Sequence, residues 1–172
     1  MLITTAKLTD AEAVTRLVNS AYRGEASRAG WTTEADLIGG QRTDVERIFE
    51  MIEDSDASLQ IAWLDGELVA CVLLKRENES TGYLGMLSVD PTLQAAGVGK
   101  KLIAHSEALV KSWGCRSMRL IILQARTDLA AYYERRGYRK TGFSEPFPGT
   151  DPRFGVPKVE GLRLEEMRKH LD

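Results

Sequence analysis

The sequence predicts an α/β fold of the α+β kind, with one mixed, mostly antiparallel sheet and helices on both faces. Two observations predict this fold. Strand-like runs at 58–64 and 68–75 flank the hairpin signal Asp65-Gly66, and a strand-helix-strand-helix pattern follows over 83–137. The first indicates antiparallel pairing, and the second indicates a crossover that packs helices on the sheet. Because no repeat or linker interrupts the chain, residues 1–172 are predicted to form a single domain.

Two capping-box patterns mark the start of the predicted helices in the N-terminal third. Leu2–Ala6 has the pattern of a short strand. Thr9 with Glu12, and Thr43 with Glu46, place a hydroxyl and a carboxylate three residues apart, as in a capping box. Apolar residues follow each box at helical spacing: Ala13, Leu17, Val18 and Ala21 in the first helix, and Val45, Ile48, Phe49 and Ile52 in the second.

The rest of the chain alternates between strands and helices. After the hairpin, Tyr83–Val89 is a predicted strand that runs into Asp90-Pro91. A long helix is predicted from Gly97 to Gly114, because apolar residues recur on one side of it and glycine favours a helix end. A strand over 117–123, a short helix through Tyr133 capped by Thr127 or Asp128, and a late strand over 162–167 complete the pattern. Residues 146–161 are predicted to be a long loop.

Composition excludes several classes of function. The formal net charge is −2 and the charged residues are interleaved, so no basic stripe indicates a nucleic-acid partner. The N-terminus lacks a signal segment and no apolar run could cross a membrane, which predicts a cytoplasmic protein without a membrane partner. Cys71 and Cys115 are predicted to be reduced core residues. His105 and His170 lack neighbours at metal-ligand spacing, so no metal site is predicted.

The segment before the long helix has the properties of an anion-binding turn. It reads Gln-Ala-Ala-Gly-Val-Gly-Lys-Lys over residues 94–101. The first N–H groups of a helix have no intrahelical partner, and the helix dipole favours an anion there. A P-loop would need glycine at Gln94 and a hydroxyl residue at Lys101, and a dinucleotide fingerprint would need a small residue at Leu102. Both motifs are absent. On the glycines alone, a purely structural turn stays an equal alternative.

Two motifs, one after the other along the chain, resemble the motifs of one family. Residues 87–99 read Leu-Ser-Val-Asp-Pro-Thr-Leu-Gln-Ala-Ala-Gly-Val-Gly, and residues 130–138 read Ala-Ala-Tyr-Tyr-Glu-Arg-Arg-Gly-Tyr. Both resemble landmarks of the GNAT superfamily of N-acetyltransferases, in the order that the family has them. The resemblance covers most of the chain, from Leu2 to about Gly142, and the C-terminal loop is less typical.

The resemblance implies acetyl-CoA as cosubstrate and assigns residues to it. Leu87 and Val89 would pair with the pantetheine arm, a backbone N–H near Leu87 or Ser88 would stabilise the oxyanion, and Tyr133 would lie near the thioester sulfur. Arg126 stands where many relatives have asparagine, so it would serve the CoA phosphates instead. The implied cofactor-binding residues are Leu87, Ser88, Val89, Gln94, Ala95, Ala96, Gly97, Val98, Gly99, Lys100 and Arg126.

The chemistry needs an acid for the leaving thiolate and a route for the proton of the amine. Tyr133 is the predicted acid, with Tyr132 as its competitor, because adjacent helix positions point about 100° apart. Tyr83 stands where some relatives carry a glutamate base. The remaining candidate bases are the loop carboxylates Glu25, Glu34 and Asp36, for which a solvated surface role is the alternative.

The connection between the first two helices is predicted to contact the acceptor. Its candidate residues are Tyr22, Arg23, Trp31 and Glu34, with Arg23 as a partner for a substrate carboxylate and Trp31 as an apolar wall. The alternative is a loop fixed to the core by Trp31. Residues 146–157 are expected to close the other side of the site or to form a homodimer contact.

These residues predict an N-acetyltransferase that acts by direct attack of a primary amine, on a small molecule rather than a protein. Three alternatives stay open: acetylation of a protein N-terminus or lysine, transfer of a longer acyl group, and a CoA-binding sensor without catalysis. The resemblance itself does not separate them, because all four share the turn at 94–99.

Overall fold

The computed structural model describes residues 1–172, and it contains a seven-stranded sheet with helices on both faces. The strands lie in the order β1-β3-β4-β5-β6-β9-β7. Only β5 and β6 are parallel neighbours, and the other pairs are antiparallel. The strands are β1 (Leu2–Thr5), β3 (Ala57–Leu64), β4 (Glu67–Arg76), β5 (Thr81–Val89), β6 (Ser117–Leu123), β7 (Arg139–Pro146) and β9 (Arg163–His170). The predicted fold class is confirmed.

Four helices cover the sheet in two pairs. They are α1 (Ala11–Tyr22), α2 (Val45–Glu53), α3 (Val98–Ser112) and α4 (Thr127–Glu134). One apolar cluster joins α1 and α2 to the face of β4 that carries Cys71, and a second joins α3 and α4 to the face that carries Val72. Side chains alternate across a strand, so one sheet supplies both cores. None of the helices combines the length and the apolar character needed to cross a bilayer.

The predicted hairpin is confirmed, and its turn residues explain it. Asp65 and Gly66 both have positive φ, at 51° and 86°, as a type I′ turn requires. The right-handed twist of this turn type matches the twist of the strands that flank it. β3 and β4 therefore pair from Leu64 with Glu67 back to Ala57 with Lys75.

Both predicted capping boxes are wrong in detail. A 3-10 turn at Leu8–Asp10 precedes α1, and the Asp10 carboxylate accepts from the Lys7 N–H instead of Thr9 capping the helix. At α2 the cap is Asp44, whose side chain accepts from the Arg47 N–H, so Thr43 lies one residue too early. At α4 neither Thr127 nor Asp128 is the cap. Aspartate and threonine are both good caps, so neighbouring candidates compete and backbone entry angles decide.

Three strands were not predicted. β7 is the exposed edge of the sheet and pairs with β9, while β2 (Ile38–Gly39) and β8 (Val156–Pro157) form a separate two-stranded ribbon. The sequence of β7 has little apolar alternation, because most of its residues are exposed. The ribbon joins the loop after α1 to residues 146–161, which were predicted to be a loop without strands.

Candidate active site

A cleft opens in the sheet where β5 and β6 separate. The two strands pair only from Thr81 with Ser117 to Tyr83 with Arg119. Beyond that point residues 84–89 of β5 have no partner in β6, and a cavity of about 280 Å³ lies between the strands. Apolar side chains line most of this cavity. The unpaired backbone groups at its edge are available to a bound molecule, because buried peptide groups need hydrogen-bond partners.

β5 is distorted at Met86, inside this cleft. Met86 has a positive φ of 53°, and the register with β4 shifts between Cys71 and Leu73. Positive φ is unusual in a residue other than glycine, and such strain often occurs at functional sites. Beside this bulge, the Leu87 carbonyl oxygen accepts a hydrogen bond from the Tyr22 hydroxyl. The distortion lies where the predicted oxyanion role of Leu87 or Ser88 requires it.

The turn before α3 has the geometry of an anion site. Pro91–Ala96 is a 3-10 turn, Gly97 has a left-handed φ of 78°, and α3 begins at Val98. A Cβ on Gly99 would lie 2.8 Å from the Tyr132 hydroxyl oxygen, so a side chain there would fill the space in front of the helix. Lys100 and Lys101 are exposed at the same end. The first N–H groups of α3 and these lysines suit a diphosphate.

The side chains within the turn mostly point away from a ligand. Gln94 donates to the Val89 carbonyl at 3.1 Å and to the Thr32 hydroxyl, and its own carbonyl accepts from the Thr32 N–H at 3.1 Å. Val98 is buried in the core beneath α3, whereas Ala95 and Ala96 are exposed. The segment can therefore hold an anion through its backbone, with Gln94 fixing the shape of the turn.

Tyr133 and Tyr132 lie in different surroundings. Tyr133 lines both the 280 Å³ cavity and a narrower space of about 30 Å³ next to Gly99. Burial raises the pKa of Tyr133 well above its ordinary value, and no hydrogen bond contributes to that shift. Tyr132 lines only the narrower space, and the centre of its ring lies 3.4 Å from the guanidinium carbon of Arg136. At neutral pH Tyr133 therefore keeps its proton, and its side chain lines both spaces.

The sequence model of the acetyltransferase (GNAT) family matches residues 14–138, which is more than half of the chain. The chain belongs to the GNAT family. The matched range contains the cleft, the turn and Tyr133, and it ends at Tyr138.

Known GNAT proteins agree with this assignment. Mycothiol acetyltransferase of Actinosynnema mirum is 28% identical over 124 residues, which are 71% of this chain and 41% of that protein. The structure of Ard1 from Thermoplasma volcanium superposes with a TM-score of 0.75 at 16% identity, over 99% of this chain and 97% of the other. A GNAT acetyltransferase of Elizabethkingia anophelis with acetyl-CoA bound gives 0.57 at 16% identity, over 73% and 82%. At these identities the structures show the fold. This chain spans 22–56% of the length of the curated relatives that it matches.

Arg126 has a different place from the one expected of a phosphate ligand. Its guanidinium donates to the carbonyl oxygens of Trp31, Thr32 and Thr33 at 3.0–3.1 Å and to both oxygens of Asp128 at 2.9 and 3.0 Å. These bonds occupy all of its N–H donors, and the residue is buried. The expectation that Arg126 serves the CoA phosphates is therefore corrected: the side chain fixes the loop after α1.

The predicted acceptor residues separate into two groups. Tyr22, Arg23 and Glu34 line the 280 Å³ cavity, but Arg23 forms an ion pair with Glu34 in which both side chains are at most 10% exposed. Arg23 is therefore not free for a substrate carboxylate. Trp31 packs on Tyr132 with ring centroids 5.1 Å apart and lines the narrower space next to Gly99. Trp31 does not line the 280 Å³ cavity, and its role as an apolar wall for the acceptor stays a prediction.

The three loop carboxylates also differ. Glu25 and Asp36 both pair with Arg28 at the surface, which is the alternative that the sequence left open for them. Glu34 alone faces the cavity, held by Arg23. Burial, and to a smaller degree the Glu34 carboxylate, raise the pKa of Tyr22 above its usual value, so its hydroxyl stays protonated.

Residues near the C-terminus close the acceptor side of the cavity. Phe147, Pro148 and Phe154 line it, and the β2–β8 ribbon holds this segment against the loop after α1. Gly155 approaches so closely that a Cβ there would lie 2.6 Å from the Ile38 side chain. Three residues of the segment 146–157 therefore line the cavity, and whether the segment closes an acceptor site or forms a homodimer contact stays a prediction.

Sequence reasoning missed Arg42, which lines both the main cavity and an adjoining one of about 620 Å³. Glu46, four residues later in the sequence, would be an ion-pair partner for Arg42 if both residues lay in one helix. Arg42 lies before α2 begins, so that pairing does not form. An unpaired arginine beside a glycine pair was the signal that could have identified it. No three His, Cys, Asp or Glu side chains lie close enough together to hold a metal ion.

Proposed function

We propose that this protein is an acetyl-CoA-dependent N-acetyltransferase that acetylates the primary amine of a small molecule by direct transfer. The observation that carries the proposal is the position of Tyr133. The Tyr133 side chain, protonated and without a hydrogen-bond partner in the protein, lines both the 280 Å³ cavity and the narrower space next to Gly99, which would hold the acceptor and the donor.

The residues on the donor side fit a CoA thioester. Acetyl-CoA, when bound, supplies the acetyl group in activated form. Leu87 and Val89, which have no partner in β6, would hold the pantetheine arm through their backbone, and the turn from Gln94 to Lys100 would hold the diphosphate. The Leu87 and Val89 carbonyls accept from Tyr22 and Gln94, so any bond from the arm to these oxygens would replace or share those bonds. A backbone N–H of Leu87 or Ser88, beside the bulge at Met86, would stabilise negative charge on the carbonyl oxygen, as fixed dipoles do.

Direct transfer follows from the absence of an activated nucleophile at the cleft. Burial raises the pKa of the Cys71 thiol to about 12, and the Ser88 hydroxyl donates to the Met86 carbonyl without a base beside it. The amine nitrogen would therefore form the bond to the acetyl carbon itself, as the carbon–sulfur bond breaks. The amine attacks in its neutral form, the leaving sulfur takes a proton from Tyr133, and the proton that the nitrogen then loses would pass through water to the Tyr133 phenolate, which leaves an amide, a free thiol and neutral Tyr133.

A small acceptor is favoured over a polypeptide by the closure of the acceptor side. The segment 147–154 lies across it and is anchored by the β2–β8 ribbon, by Arg153 with Asp44, and by the Gln41 N–H bonded to the Pro152 carbonyl at 2.8 Å. Phe147, Pro148 and Phe154 narrow this side of the cavity, whose volume of about 280 Å³ suits a small acceptor, whereas an extended peptide would need a longer groove.

The test compares Tyr133→Phe with the matched variant Tyr138→Phe. Removing the Tyr133 hydroxyl should leave the Kd for acetyl-CoA unchanged and lower kcat by about 100-fold, the effect of a lost general acid. Tyr138 packs beside it but bonds Glu107, outside the cavity, so its variant should keep kcat. Thiol release with a panel of small amines and calorimetric binding of acetyl-CoA are the measurements.

Two results would contradict the proposal. An unchanged kcat in Tyr133→Phe would remove the acid role, and failure of the intact protein to bind acetyl-CoA would refute the function as a whole. Tight binding without turnover on any amine would support a CoA-binding sensor instead.

A further inference from the structure

Arg42 is the one cationic side chain of the acceptor side that has no carboxylate partner. It is half-buried and lines both adjoining cavities. No acidic side chain lies within ion-pair distance of it. The other arginines that line these cavities are all paired: Arg23 with Glu34, Arg47 with Glu50, and Arg153 with Asp44.

The position of Arg42 is fixed by α1. The Asn19 side-chain oxygen accepts from the Arg42 N–H at 2.7 Å and from the Thr43 N–H at 3.2 Å, and the Asn19 amide donates to the Thr43 carbonyl at 3.0 Å. The Arg42 guanidinium carbon then lies 5.9 Å from the centre of the Tyr22 ring, and the Tyr22 hydroxyl bonds Leu87 at the bulge. Arg42 is therefore held at the acceptor side, one side chain away from the proposed acetyl position.

The charge of the cavity favours an anionic acceptor group. Its titratable charged lining consists of Arg23, Glu34 and Arg42, of which the first two neutralise one another. The other side chains that line the cavity are mainly apolar or aromatic, for example Tyr22 and Tyr83. A cation in such surroundings is poorly solvated, and an opposite charge with good geometry offsets that cost. A simple protonated amine would instead be repelled.

We propose that Arg42 binds an anionic group of the acceptor, so that the substrates are small amines that also carry a carboxylate, of the amino-acid kind. This inference rests on the proposed acetyltransferase function. The amine must come within about 3–3.5 Å of the acetyl carbon, and the anion within about 4 Å of the guanidinium. Because the Tyr22 side chain reaches from Arg42 to Leu87 at the bulge, an acceptor of about that length would place its two groups at these positions. The apolar part of the acceptor lies against Phe147 and Phe154.

The experiment uses pairs of acceptors that differ by the carboxylate alone: phenylalanine with 2-phenylethylamine, leucine with 3-methylbutylamine, and methionine with 3-(methylthio)propylamine. The intact protein should have a kcat/KM at least about tenfold higher for the acid in one or more pairs, which is the low end for a charge-assisted hydrogen bond. The aminophosphonate analogue of phenylalanine tells whether a phosphonate anion serves as well as a carboxylate.

Two variants locate the preference. Arg42→Gln should raise KM for the preferred acid about 10- to 100-fold and reduce its advantage over the matched amine to about one. Arg42→Lys, which keeps the charge, should recover part of the advantage. Arg47→Gln is the control, because it removes a positive charge of the adjoining cavity that is already paired with Glu50, and it should leave the advantage intact.

Several results would overturn the inference. Equal use of acid and amine by the intact protein, or an equal loss on both acceptors in Arg42→Gln, would show that Arg42 does not read the anion. Turnover on none of the pairs by a protein that binds acetyl-CoA would also reject this substrate class. If acetyl-CoA itself fails to bind, the proposed function fails first, and the calorimetric measurement distinguishes that case.

Discussion

The two sides of the cleft are built in different ways. The donor side is one contiguous segment, from the end of β5 through the turn to the start of α3. The acceptor side brings together Arg23, Arg42, Tyr83 and Phe154, which are far apart in sequence. A local motif can specify the first through backbone conformation alone, whereas the second depends on long-range packing. The donor side can therefore be predicted from sequence, whereas the residues of the acceptor side can differ between proteins that share a fold.

The two sides also differ in the interactions that stabilise them. The donor side contains the first N–H groups of α3, which have no intrahelical partner, and is stabilised by the core beneath α3. The acceptor side contains the buried pair of Arg23 and Glu34. Arg126 joins the two, because it lies at the start of α4 and holds the loop that covers the narrower space. Variants of the acceptor side should therefore change the stability of the fold, and variants of the donor side should change the affinity for acetyl-CoA.

The largest effect is expected from Glu34→Ala, which leaves the Arg23 charge buried without a partner. Breaking a buried pair in this way costs about 3–5 kcal/mol, which lowers Tm by roughly 6–20 °C for a chain of this length. Thermal unfolding measures it. Glu25→Ala breaks an exposed pair with Arg28 and should change Tm by only about 1–2 °C. Equal shifts in the two variants would show that the buried pair does not stabilise the acceptor side.

The next effect concerns the donor side. Gly99→Glu puts a Cβ 2.8 Å from the Tyr132 hydroxyl oxygen and a negative charge at the helix N-terminus, so acetyl-CoA should bind about 100-fold more weakly or worse, equivalent to about 2.8 kcal/mol. Ala104→Glu adds the same charge on an exposed position of α3 beyond its first turn and should bind normally. Undiminished affinity in folded Gly99→Glu would refute the diphosphate assignment.

The smallest effect is pH-dependent and lies at the junction between the sides. Hydrogen bonds from Arg126 lower the pKa of Asp128 from 3.8. A carboxyl whose pKa is lower in the folded protein stabilises it above the unfolded value, and that stabilisation is lost as the pH falls through the folded value. Asp128→Asn should therefore cost up to about 1 kcal/mol at pH 7, since the side chain is half-exposed.

Unfolding of the two proteins at pH 7 and at about pH 2–3 tests this sign. The difference should shrink as the pH falls from 7 toward about 2, because Asp128 loses its charge as the pH falls through its lowered pKa. A difference that persists unchanged at low pH would mean that Asp128 acts through packing and not through its charge on Arg126.

Several elements could be predicted because their signals are local. Asp65-Gly66 dictates a turn through its positive φ values, and α3 follows from apolar spacing and a glycine at each end. β7 could not be predicted, because an exposed edge strand carries little apolar alternation. The contacts of Trp31 could not be predicted for a related reason: Arg126, 95 residues away, donates to its carbonyl.

The sequence by itself determined the fold class and the family resemblance, and it predicted the anion-binding turn and the role of Tyr133 in α4, because each signal rests on residues within a few positions of one another. Only the tertiary structure decided that Arg23 forms an ion pair with Glu34, that Arg126 binds the carbonyls of the loop after α1, and that Arg42 has no carboxylate partner. Charge pairing depends on distances of a few ångströms between side chains, and the packing of the whole chain sets those distances.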